Sequence, residues 1–195
     1  MSSTAQPFGM NPIRHINGKF VPPPMAMLNG IASAYGSDIF NRAPVTLNTN
    51  GTITATAVNT DFYGVFAGWQ GVQSATGLLT PAMQWASGTT YSSTPPGYMY
   101  AYVWTDPGII YEIQANGSLA QTSVGDQADF VNPGAGNTTG SSTAAISTTL
   151  AGVGNQAQLR IIGLSSRIDN AWGDAYTVVE VQIARQQFVS NKVAV

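Results

Sequence analysis

Residues 176–188 read YTVVEVQIARQQF, and the alternation within them decides the fold class. Val179, Val181 and Ile183 share one parity while Glu180 and Gln182 share the other, the pattern of a strand with one buried face. QLRIIGLS at 158–165 keeps the same period but is apolar on both sides, with Leu159 and Ile161 on one and Ile162 and Leu164 on the other. Two more runs, in YMYAYVWTDPGIIYEIQANG at 98–117, flank Asp106, Pro107 and Gly108. Proline presets φ at the first central position of a turn and glycine permits positive φ at the next, so this stretch predicts a hairpin. Tyr98, Tyr100, Tyr102 and Trp104 have one parity, and Met99, Ala101 and Val103 have the other, which predicts cover on both faces.

Working towards the N-terminus, DIFN (38–41), PVTL (44–47), ITATAV (53–58) and FYGVFAGWQGV (62–72) are further short runs punctuated by Gly, Pro, Asn and Thr. The stretches 76–97 and 132–154 are rich in Ser, Thr and Gly and are expected as long loops of the kind that serve binding or assembly. A helical turn or two is expected between Gln121 and Phe130. Roughly eight short strands without an amphipathic helix predict a single all-β domain, a β-sandwich or β-barrel, with a jelly roll among the candidates. Residues 1–36 are aperiodic and contain Pro22, Pro23 and Pro24, which favour extended backbone over helix or central strand. They are expected as an extended N-terminal arm, leaving 37–195 as the sandwich or barrel.

Composition narrows the function classes. Charged residues are only 8% of the chain where about 25% is usual, and the net charge is −2. Such a chain has no cationic footprint for a phosphate backbone, so no nucleic-acid partner is expected. There is no cysteine, hence no disulfide or thiolate metal site. The first ten residues, MSSTAQPFGM, lack the basic and apolar regions of a signal peptide, and no run approaches a membrane span.

Each candidate catalytic group has a simpler role. His15, the single histidine, has no nucleophile elbow to serve and too few companions for a zinc site. Asp106 and Glu112 form a conceivable glycosidase pair, but Asp106 stands where a turn residue is wanted and Glu112 on the polar parity of its strand. Asp126 and Asp129 offer too few oxygens for calcium. GVGNQA at 152–157 has the dinucleotide-fingerprint spacing but precedes a strand, where that fingerprint must open a helix. The row Tyr98, Tyr100, Tyr102 and Trp104 is expected as packing or subunit interface before ligand stacking. No enzyme, metal or cofactor is expected.

Four blocks carry a resemblance: PIRHINGKF (12–20), YAYVWTDPGIIYEIQANG (100–117), TSVGDQADFV (122–131) and QLRIIGLSSRIDNAWGDAYTVVEVQIARQQF (158–188). In this order, over about a third of the chain, they resemble the capsid decoration or cement proteins of tailed bacteriophages. The loops around Thr76–Pro96 and Asn132–Gly154 depart from that pattern. The resemblance implies a virion protein, made in the host cytoplasm, that binds the outer surface of the capsid and stabilises the shell. Its partners would be the major capsid protein and other copies of itself, a trimer favoured over a dimer. Within the arm, Phe8, Arg14, His15, Ile16 and Phe20 are the expected contacts. The alternative is a carbohydrate or host-surface binding module of a virion, using the Tyr and Trp strand and the long loops.

Overall fold

A computed structural model describes residues 4–92 and 98–188. The protein is all-β: among the described residues 42% are in strands and none is in an α-helix, and two antiparallel six-stranded sheets pack together as a β-sandwich. The first sheet has the order β1 (Asn11–His15), β8 (Ile109–Gln114), β12 (Val178–Ile183), β11 (Leu159–Leu164), β9 (Gln127–Val131) and β10 (Ala145–Leu150). The second has the order β2 (Met25–Leu28), β7 (Met99–Trp104), β5 (Gly64–Val72), β3 (Pro44–Leu47) and β4 (Ile53–Ala55), with β6 (Leu79–Ala82) also paired to β5. Both sheets are open, so the sandwich holds and the barrel does not, and the twelve strands among the described residues exceed the eight of a jelly roll.

The alternation in 176–188 behaves as expected. Val181 lies opposite Tyr111 and Val179 opposite Ile113, and all four enter the larger core with Phe62, Phe130, Ile146 and Ile161. A second core lies on the second sheet, where Phe66, Trp69, Met99, Ala101 and Val103 are covered by Ile31, Ile39, Trp85 and Tyr91 from the connections. Each fully buried aliphatic or aromatic side chain contributes about 1.5–3 kcal/mol, and these two clusters hold most of them.

Four expectations need correction. The segment 1–36 is not an arm apart from the sandwich: β1 pairs with β8 on one sheet and β2 with β7 on the other, so it straps the two layers together. Proline is tolerated at sheet edges, and both of these strands are edge strands. The 106–108 turn does form, with Ile109 N–H donating to the Asp106 carbonyl (3.3 Å), but it does not make a hairpin. Strand β7 joins β2 and β5 while β8 joins β1 and β12, so the turn crosses between layers. Turn chemistry fixes a local reversal; partner choice is set by which edges and faces become buried. The long loops hold β6 and β10, and DIFN contributes only isolated bridges at Ile39 and Asn41. Residues 93–97 of the first loop lie outside the described residues. The helical turn expected between Gln121 and Phe130, by contrast, is present as one 3-10 turn, Gln121–Ser123, followed by β9.

Where charge is scarce, glutamine amides brace the layers. Gln158 is fully buried; its Nε2 donates to the Ala57 and Thr60 carbonyls (2.9 and 2.7 Å), and its Oε1 accepts from the N–H groups of Asn59 and Phe130 (both 3.1 Å). Gln187 accepts from Leu47 N–H at 2.7 Å and donates back to the Leu47 carbonyl at 3.0 Å. Gln186 donates to the Tyr63 and Thr105 carbonyls. A primary amide offers two donors and an acceptor oxygen with two lone pairs, so it can close backbone groups of both signs without burying charge.

Strand β5 carries a bulge between Phe66 and Gly68. Gly68 has φ of +127°, and a Cβ there would lie 2.8 Å from the Ala82 carbonyl oxygen. Gly68→Ala should therefore cost about 1–3 kcal/mol, seen as a lowered urea midpoint. An unchanged midpoint would show that the bulge relaxes freely.

Candidate functional site

The outer face of the first sheet gathers much of the sparse charge. Glu112 and Glu180 are direct cross-strand neighbours, an arrangement that repels unless neutralised. Arg14 from β1 pairs with Glu180, and Arg167 donates to Glu112 at 3.0 Å. Ser165 donates to Glu112, and the Asn11 amide reaches it at 3.4 Å. The guanidinium of Arg167 also lies 4.5 Å from the Phe8 ring centroid. Phe8 and Arg14 thus fasten the N-terminal segment within the chain, while the Arg14 side chain stays 44% exposed.

Burial pushes the Glu112 carboxyl up, but the hydrogen bonds from Arg167 and Ser165, the charge of Arg167 and the contact with Asn11 together hold it below its ordinary value of 4.5. A group with a depressed folded pKa stabilises the protein above the unfolded pKa and loses that contribution as pH falls through the folded one. Stability should accordingly begin to fall as pH drops below about 4.5. Glu112→Gln should flatten that part of the acid limb in denaturation curves taken at stepped pH; identical limbs for both proteins would refute the assignment.

His15 is a latch on the interlayer turn. Its Nε2 lies 3.3 Å from Asp106 Oδ2, and its Nδ1 accepts from Asn17 N–H at 3.2 Å. Asp106 Oδ1 meanwhile accepts from Gly108 N–H at 2.7 Å, and Ile16 N–H donates to the Gly108 carbonyl at 2.8 Å. Asp106 and Glu112 therefore serve separate structures. Asp129 accepts from Gln158 N–H at 3.1 Å, and Asp126 N–H closes the turn onto Ser123. GVGNQA is a turn, with Asn155 N–H donating to the Gly152 carbonyl, and it leads into β11. Among the described residues no three His, Asp or Glu side chains converge as metal ligands.

What this latch holds out to solvent is apolar. A tight turn closes when His15 N–H donates to the Lys19 carbonyl (3.1 Å) and Gly18 N–H to the His15 carbonyl (2.9 Å), and Lys19 N–H caps onto Asn17 Oδ1 at 3.0 Å. On it Phe20 is 98% exposed and Ile16 59% exposed. A shallow depression of about 730 Å³ runs beside them, lined by Ile13, Arg14, Gly18, Lys19 and Phe20. Sequence reasoning singled out Ile16 and Phe20, and the structure leaves these two free for contact.

The aromatic row of β7 is half covered. Met99, Ala101 and Val103 are buried and Trp104 packs against the larger core, but Tyr98 and Tyr100 are exposed, so the expectation of cover on both faces fails over most of the strand. Cross-strand register brings Leu28 from β2, Gln70 from β5 and Pro81 from β6 onto the same face as Tyr100, the face that carries Trp104 at its other end. Sequence reasoning missed the β6 residues, whose signal was LLTPAM inside a Ser and Thr rich stretch. No family model, curated protein or solved structure matches this chain.

Proposed function

We propose that this chain is a structural virion protein, a capsid decoration or cement subunit that binds the outer surface of the major capsid shell and stabilises it. The observation that carries the proposal is the tip: two large apolar side chains, Ile16 and Phe20, held in solvent by a hydrogen-bonded turn that is itself latched to the sandwich through His15 and Asp106. Exposed aromatic and aliphatic anchors on a rigid support are what a protein interface uses, because little ordering entropy is lost on docking. The low charge of the chain supports the same reading, since interface centres are depleted in charge.

The mechanism is linkage. A subunit that binds only the assembled shell stabilises that state by mass action, and repetition over a symmetric lattice adds avidity to modest single contacts. Nothing in this role requires turnover, metal or cofactor. The test is a cryo-electron-microscopy map of the particle that carries this protein. Copies seated on the outer shell with the 15–20 turn against a capsid subunit are expected; finding the chain only in the tail, or on the shell with that turn pointing away, would overturn the proposal.

A further inference from the structure

We propose that the exposed part of the second sheet's Tyr100 face, the side whose Trp104 end packs against the larger core, is the seat of a second copy of this chain related by a two-fold axis. The inference goes beyond shell binding and does not depend on it.

The face is built by register. Leu28, Tyr100, Gln70 and Pro81 form one cross-strand row over β2, β7, β5 and β6, and Val72 opposite Leu79 begins the next. Five large apolar side chains on it remain substantially exposed: Leu28 54%, Leu79 60%, Met83 61%, Tyr98 41% and Tyr100 37%. Side chains of this size present about 150–250 Å² when free, so each leaves on the order of 100 Å² in solvent. With the partly exposed Val72, Pro81, Tyr102 and Gln70, the face totals roughly 600–800 Å². That is at or above the largest apolar patch of an ordinary monomer, about 300–600 Å². It is close to the roughly 800 Å² per partner that a stable interface buries.

Charge selects the occupant. A two-fold contact sets residues close to the axis against their own twins, so any charged group there meets a like charge. None of the face residues named above is charged, although charged side chains cluster on the outer face of the other sheet. Tyrosine hydroxyls both donate and accept, which lets Tyr100 and Tyr98 satisfy copies of themselves. The Gly68 bulge also opens a groove of about 360 Å³ lined by Gly68, Gln70, Pro81, Met83 and Tyr102, large enough to admit an apolar side chain from the opposite copy. The resemblance favoured a trimer, but a neutral, self-compatible face closes as a dimer.

Sedimentation velocity of the full chain from about 1 to 100 µM, without shells, tests this. The expected result is a concentration-dependent dimer. Tyr100→Glu and, separately, Leu79→Glu should each raise its dissociation constant at least about a hundredfold, because every substitution enters the interface twice. Far-UV circular dichroism should stay unchanged, and Tyr100→Ser, with a smaller effect in the same direction, covers the case in which a glutamate variant misfolds. A monomer throughout the range, a trimer, or a dimer that all three variants leave intact would overturn the proposal. So would a monomer in which Tyr100 instead mediates saturable binding to a glycan array or to shells. Shell binding is read separately through Ile16 and Phe20, so either proposal can fail alone.

Discussion

Replacing Gln158 by leucine should lower the unfolding free energy by about 3 kcal/mol and the melting temperature by roughly 6–12 °C. Leucine fills nearly the same volume, so packing changes little and the effect isolates hydrogen bonding. It leaves four backbone groups without the amide that closes them: the N–H groups of Asn59 and Phe130, and the carbonyls of Ala57 and Thr60. Phe130 N–H lies within the larger core and should bear the full desolvation penalty of about 1–3 kcal/mol. Residues 57, 59 and 60 are exposed, so water recovers part of their loss. Gln158→Glu is the companion variant. It keeps the acceptor oxygens but presents a buried carboxylate to two carbonyls, so it should destabilise more than leucine at neutral pH and recover as pH falls and the group protonates. Urea titrations of the three proteins decide the matter. A leucine variant within about 0.5 kcal/mol of the parent would mean that the brace adds nothing beyond what water can supply.

That brace marks a boundary of what the sequence discloses. The period of 176–188 identifies a strand and its buried face because alternation is a local property; Val179, Val181 and Ile183 are apolar wherever the strand lies. Gln158 sits at the head of an equally legible strand, yet its partners are 28 to 101 residues away and carry no residue-type signature, since all four are backbone groups. The same distinction explains the turn at Asp106, whose chemistry is local and correct while its pairing is not. It also explains β6, where Pro81 argues against a central strand but is acceptable on the edge strand that the register gives it. In the candidate site, exposure of Ile16 and Phe20 followed from the aperiodic, proline-flanked sequence around them. The intramolecular roles of Phe8, Arg14 and His15 depend on Arg167, Glu180 and Asp106, which only the folded chain brings near.

Substituting Ile16 and Phe20 together by serine should weaken attachment to shells by about a hundredfold or more, with no loss of stability. Burying each of these side chains is worth about 1.5–3 kcal/mol, and the two changes sum to at least about 3 kcal/mol per site, before lattice avidity multiplies the effect. Point substitution is the informative experiment here, and truncation is not. Removing residues 2–24 would take β1 from β8 and strip Arg14 from Glu180, so reduced binding could reflect a damaged sheet instead of a lost contact. Serine at two solvent-exposed positions removes neither a backbone hydrogen bond nor an ion pair of the turn. Because both anchors are apolar, attachment should also be only weakly sensitive to NaCl, since screening acts mainly on exposed ionic contacts. Lys19→Ala then separates the two sources of affinity: the change should be small and salt-dependent if the tip docks through Ile16 and Phe20. Co-sedimentation of each variant with shells, read as occupancy against concentration at low and high salt, gives the answer. Full occupancy by the double serine variant would remove the tip from the interface, and release of the parent protein by moderate salt would reassign the contact to Lys19 and its charged neighbours.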